Sequence, residues 1–178
     1  MPNHTTTPRR PAARLARAAQ MLAIFVALLA AAAILHPPRY ADGSQQSQDA
    51  TLAECLRYLR TQIYIYTLDH NGIPPGFPGN DVTLPPDADT FVAQMTQYTD
   101  PSGRYSSQMT SQHRFGPYLM AVPANPANLH NGVLVVTTDS MPRADDSKPY
   151  GWIYNPATRQ IIPNLVGADS QGVSYASY

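Results

Sequence analysis

Residues 52–75 read LAECLRYLRTQIYIYTLDHNGIPP, and the fold class turns on this stretch. Leu52, Cys55, Leu56, Leu59, Ile63 and Tyr66 recur at three- and four-residue spacing. They line one face of a helix, while Arg57, Arg60, Thr61 and Tyr64 fall largely off it. The helix is expected to end near His70, because Asn71-Gly72 accepts a left-handed backbone and Pro74-Pro75 forbids continuation. Upstream, ADGSQQSQ (41–48) is small and polar, and Asp49 is a capping residue type, which predicts a helix start there. The stripe predicts packing against a sheet. Tyr58, Ile65 and Leu68 lie elsewhere on the wheel, which leaves two accounts of them: cover by the following loops, or contact with a neighbouring subunit.

Downstream, a proline-rich loop leads to TFVAQMTQYTD (90–100). Thr90 is expected to open a short helix there, with Phe91, Met95 and Tyr98 on one face. Residues 100–131 read mainly as loop, punctuated by Gly103, Gly116-Pro117, Pro123 and Pro126. Val133 to Thr138 is β-branched and strand-like, and a polar loop runs from Asp139 to Pro149. Tyr150 to Tyr154 and Gln160 to Pro163 predict a hairpin, since Asn155-Pro156-Ala157-Thr158 suits a type I turn. Helices first and strands after define an α+β domain with a small antiparallel sheet.

On the N-terminal side, Met21 to Leu35 is apolar without interruption, and no charge lies between Arg17 and Arg39. Counted from Ala18, such a helix is about 27 Å long, close to the hydrocarbon thickness of a bilayer. Arg9, Arg10, Arg14 and Arg17 precede the run, so the positive-inside rule keeps the N-terminus cytoplasmic and exports the rest. The expected organisation is a basic N-terminus (1–17), a transmembrane helix (18–38) and an extracytoplasmic domain (41–178). The competing reading of the run is a cleavable signal peptide, with Ala31-Ala32-Ala33 as small residues for cleavage; it exports the same domain.

The chain has 178 residues, a formal net charge of zero and 13% charged residues, well under the roughly 25% of an ordinary soluble domain. Long-range attraction to nucleic acid is therefore absent from its composition, as are phosphate-binding glycine loops. Cys55 is the single cysteine, so no internal disulfide forms. His4, His36, His70, His113 and His130 show no metal-ligand spacing, and are read as structural. Asp169-Ser170 lacks a nucleophile elbow around the serine, so no catalytic residue is assigned and the chain is read as a non-enzyme.

Four strings occur in order: LRYLRTQIYIYTLDHNGIPP (56–75), TFVAQMTQYTD (90–100), FGPYLMAVPANP (115–126) and GWIYNPATRQIIPNL (151–165). Together they cover most of residues 52–165, and in them the chain resembles the major pseudopilins of type II secretion systems and related type IV pilin-like proteins. The resemblance implies a pilin-like fold: a membrane helix with an amphipathic extension, a short second helix and a small antiparallel sheet. It also implies a single-pass bacterial inner-membrane protein with a periplasmic domain. Its partners would be other pseudopilin subunits and the inner-membrane secretion platform, and it would act mechanically, without cofactor, as a filament subunit that pushes cargo in protein secretion. Calcium in a C-terminal loop is common in the family. Asp169, Ser170 and carbonyls of 165–167 are the available oxygen ligands here, joined by Asp139, Asp145 and Asp146 only if two loops converge. The favoured reading is a solvated polar loop, and no metal ligand is assigned. Residues 10–29 (RPAARLARAAQMLAIFVALL) contain neither the glycine nor the glutamate of the family's processing signal. The alternative is therefore a monomeric, membrane-tethered binding module with a pilin-like domain.

Overall fold

The computed structural model describes residues 40–178, with side chains from residue 43 onward. The expected basic N-terminus and membrane helix lie outside the described residues. Among the described residues, no helix is long and apolar enough to cross a membrane.

Helix α1 spans Tyr40–Asp69, so it starts well before Asp49, and the polar stretch 44–48 is helical. Helix propensity is a weak prior that tertiary contacts override. Here Gln48 donates to the Pro126 carbonyl (2.7 Å), and the Asp49 carboxylate reaches the far end of the chain instead of capping. The C-terminus of α1 follows expectation. Asn71 (φ 56°) and Gly72 (φ 84°) both turn left-handed, and the Gly72 N–H donates to the Thr67 carbonyl at 2.8 Å, closing the last turn. Helix α2 (Ala88–Thr96) begins two residues before Thr90 because Asp87 is the cap: its carboxylate accepts from Thr90 N and Oγ1, each at 2.7 Å. Phe91 and Met95 are buried as expected, but Tyr98 has left the helix for a strand.

That strand, β1 (Tyr98–Thr99), pairs antiparallel with β2 (Tyr105–Ser106). A separate three-stranded sheet has the order β3 (Val133–Val135), β4 (Trp152–Asn155), β5 (Gln160–Pro163). The β4–β5 hairpin is antiparallel, with Asn155 opposite Gln160. The β3–β4 pair is parallel, so the sheet is mixed and not the antiparallel meander expected. Parallel strands need a crossover of about a dozen residues or more, and residues 136–151 supply one. The polar loop thus returns the chain to the start of β3 rather than turning it beside its end.

Every residue of β4 is buried. Trp152 and Tyr154 share one core with Leu52, Leu56, Leu59, Ile63 and Tyr66 of α1 and Phe91 and Met95 of α2. Ile153 points to the opposite face and is fully buried too, so loops cover the outer side of the sheet. Truncating Leu56 or Leu59 to Ala is expected to cost about 2–5 kcal/mol each. Chemical denaturation of the full-length protein in detergent checks this. A loss below about 1 kcal/mol at both positions contradicts the assignment of the buried face.

With so little ladder, the loops need other partners for their backbone groups. Fully buried amide side chains supply them. Asn125 Nδ2 donates to the Gly151 carbonyl (2.9 Å), and Asn155 Nδ2 donates to that of Thr138 (3.0 Å). Asn164 Nδ2 donates to the Asp145 carbonyl (2.7 Å), while its Oδ1 accepts from Asp145 N (2.7 Å).

Candidate functional site

Two surface features stand out from this scaffold. The first is the outer face of α1. At about 100° per residue, Tyr58, Tyr64, Ile65 and Leu68 lie on the side opposite Leu52, Leu56, Leu59 and Ile63. They are 43%, 62%, 38% and 61% exposed, so the loops do not cover them. Glu54 and Arg57, joined by an ion pair, continue this face toward the helix start. Four large apolar side chains along one open helix face form a surface that gains by association.

The second feature is the C-terminal strap that follows β5, Leu165–Tyr178, which ends in a 3₁₀ turn at Tyr175–Ser177. Asp49, buried midway along the first half of α1, accepts from the Ser170 N–H (2.9 Å) and the Tyr175 hydroxyl (2.8 Å). Burial alone raises the Asp49 pKa, but hydrogen bonding from the Ser170 backbone, the Tyr175 hydroxyl and the Ser170 side chain outweighs it and holds the carboxyl below its usual range. Within the strap, Asp169 Oδ1 accepts from the N–H groups of Gln171 and Val173 (2.8 Å each), and Oδ2 accepts from the Tyr178 hydroxyl. The Tyr178 hydrogen bond is the main reason that the Asp169 carboxyl is also lowered.

These contacts account for the loop considered for calcium. The Asp169 carboxylate is committed to its own loop and to Tyr178, and the Ser170 N–H faces Asp49. Asp145 is held beside Asn164 through its backbone, but its carboxylate is committed locally: it accepts from Ser147 N (3.1 Å) and Oγ (2.6 Å), with Lys148 at 3.9 Å. Asp139 and Asp146 are exposed, and among the described residues no three acidic, histidine or cysteine side chains gather to hold a metal ion.

Among the described residues, His70 is the one histidine drawn into the core, stacked on Tyr66 at 3.9 Å with Phe115 and Tyr118 at its edges. Its ring nitrogens face the carbonyls of Tyr66 (2.8 Å) and Asp100 (3.0 Å), a structural role. His113 hydrogen-bonds Thr110 through Nδ1 (3.1 Å) and His130 is exposed; His4 and His36 lie outside the described residues. Cys55 is half-buried, and burial, helped by Glu54, pushes its thiol up, away from nucleophilic reactivity.

Two features went unread in the sequence. The β1–β2 turn had a usable signal, Asp100-Pro101-Ser102-Gly103: Asp100 Oδ1 accepts from the backbone of Ser102 and Arg104, and Gly103 sits at φ 70°. The Asp49 contact had none, since its partners lie 121 and 126 residues away.

A scan against protein-family models finds no match, and searches of curated proteins and of solved structures find no significant match.

Proposed function

We propose that this chain is a non-enzymatic, pseudopilin-like subunit with a pilin-like domain. It is held in the bacterial inner membrane by residues 18–38 with the domain in the periplasm. The observation that carries the reading is the two-faced α1: one face builds the core, and the opposite one presents Tyr58, Tyr64, Ile65 and Leu68 to a neighbour. A helix that follows directly on an apolar run and stays apolar on its outer side is suited to side-by-side assembly. The subunit acts by being added to a growing assembly by the secretion platform, and it needs no catalytic group or cofactor for that.

The second reading, a monomeric tethered module, is favoured by residues 10–29. A free amine within the bilayer calls for a neighbouring acid, because an unpaired charge there is costly, and this segment has no acid. The isolated protein is accordingly expected to keep its full N-terminus and to form no long filaments.

One experiment separates the readings. Half-buried Cys55 is a poor handle, and one thiol per chain links no further than a dimer, so Tyr58→Cys and Leu68→Cys are combined in a Cys55→Ala background and cross-linked in native membranes. A ladder beyond the dimer supports the subunit; monomer alone supports the tethered module. Topology is checked separately. A reporter fused after Tyr178 is expected to be active only outside the cytoplasm. The membrane-bound protein is expected to release with detergent but not with high salt, since apolar insertion is not screened. Cytoplasmic reporter activity or release by salt removes both readings.

A further inference from the structure

We propose that the C-terminal strap is an acid-releasable latch: carboxylate–tyrosine pairs at Asp49 and Asp169 hold it on α1 and beside β5, and protonation frees it while the sheet stays folded. This goes beyond the subunit reading and does not depend on it.

The geometry is that of a clasp with few points of attachment. Asp49 offers Oδ2 to the Ser170 N–H and Oδ1 to the Tyr175 hydroxyl, so both of its oxygens face the strap. Asp169 closes the 169–173 loop on itself and receives Tyr178, whose ring meets Tyr175 edge-on at 5.5 Å. Apart from Tyr175 and Leu165, which join the core, the strap is largely exposed. A segment with few buried apolar contacts opens at lower cost than the core.

The charged and titratable groups that bear on the clasp are Asp49 and Asp169, which repel each other, and Tyr175 and Tyr178, which donate to them. Arg60 of α1 and Arg159, just before β5, line the groove that Tyr178 walls. Both tyrosines are pushed up, by burial first and then by the carboxylates they donate to, so they keep their protons through neutral and moderately alkaline pH. The acid limb is the sensitive one. A carboxylate held below its usual value of 3.8 stabilises the closed strap fully above that value. The stabilisation fades as the pH falls past it and is lost below the lowered native value.

Release has a structural consequence. Strap residues 176–178 form one wall of a groove of about 580 Å³, and Ile161 and Ile162 of β5 line it as well. β5 is an outer strand of its sheet, and the outward Ile161 carbonyl is taken by Arg60 (2.9 Å). A covered strand edge is protected from pairing with another chain. Opening the strap removes one wall of that cover.

The test is a pH series of amide NMR spectra of the full-length protein in detergent micelles. On acidification the Ser170, Gln171 and Val173 amides are expected to move to unstructured positions while those of Ile153 and Tyr154 keep theirs. Asp49→Asn is expected to loosen the strap already at pH 7. Tyr178→Phe, which removes one hydroxyl and keeps the ring packed on Tyr175, is expected to shift the strap transition to higher pH, because Asp169 loses its strongest support. Strap and sheet amides leaving together at one pH overturns the latch. So does a Tyr178→Phe strap transition at the wild-type pH.

Discussion

Gly151→Ala is expected to leave the domain unable to fold. A Cβ at this position lies 2.0 Å from the His130 carbonyl oxygen and 3.0 Å from Asn125 Cβ. Neither side can yield. The Gly151 N–H donates to the Gly132 carbonyl (2.9 Å), and its own carbonyl accepts from Asn164 N (2.8 Å) and Asn125 Nδ2 (2.9 Å). The residue that leads into β4 is thus pinned on three sides, and a Cβ driven into a fixed main-chain carbonyl belongs with the exceptional losses of more than about 4–5 kcal/mol. Gly43→Ala is the matched control: it sits in helix α1 with nothing within 4 Å of an added Cβ, and is expected to stabilise by about 0.5–1 kcal/mol. Thermal unfolding followed by circular dichroism distinguishes the two. A cooperative Gly151→Ala transition near the wild-type temperature contradicts the close approach.

Gln94→Leu is expected to cost about 2–6 kcal/mol, although it keeps the volume and the helix. Fully buried Gln94 accepts from the Gly76 N–H at 2.7 Å and donates to the carbonyls of Phe77 (2.9 Å) and Gly103 (3.0 Å). One amide therefore ties α2 to the proline-rich loop and to the β1–β2 turn. Leucine leaves the Gly76 N–H and the Gly103 carbonyl buried without partners, each at a cost of about 1–3 kcal/mol, while the Phe77 carbonyl keeps the Asn80 N–H (3.0 Å). Asn80 stands beside it, accepting from the Tyr66 hydroxyl (2.8 Å), so the loss is expected to reach the α1 core. Denaturant unfolding measures it, and a change under about 1 kcal/mol shows that water takes over the vacated bonds.

The legible parts of the chain were those with a local period or a local turn. Leu52, Leu56, Leu59, Ile63 and Tyr66 repeat at helical spacing, and all are buried. Asn71-Gly72 ends the helix in the conformation its residue types favour. Asn155 makes the turn between β4 and β5, its Oδ1 accepting from Ala157 N (2.9 Å). The outer stripe of α1 was visible as surplus apolar residues, but its exposure required knowing where the loops go.

Sequence alone determined an α+β domain behind an apolar, arginine-flanked run, with one helix face for the core and a β4–β5 hairpin. Each of these rests on interactions within a few residues, where periodicity and turn chemistry carry the information. Tertiary structure decided the rest. The parallel pairing of β3 with β4 depends on where a long crossover lands, and side-chain pattern in strands this short is the same for either direction. The true start of α1 depends on Gln48 and Asp49 finding partners at Pro126, Ser170 and Tyr175. Those partners are remote along the chain. An aspartate in a polar stretch reads as a cap until folding brings a distant hydroxyl and N–H to it, and then its charge closes the strap instead.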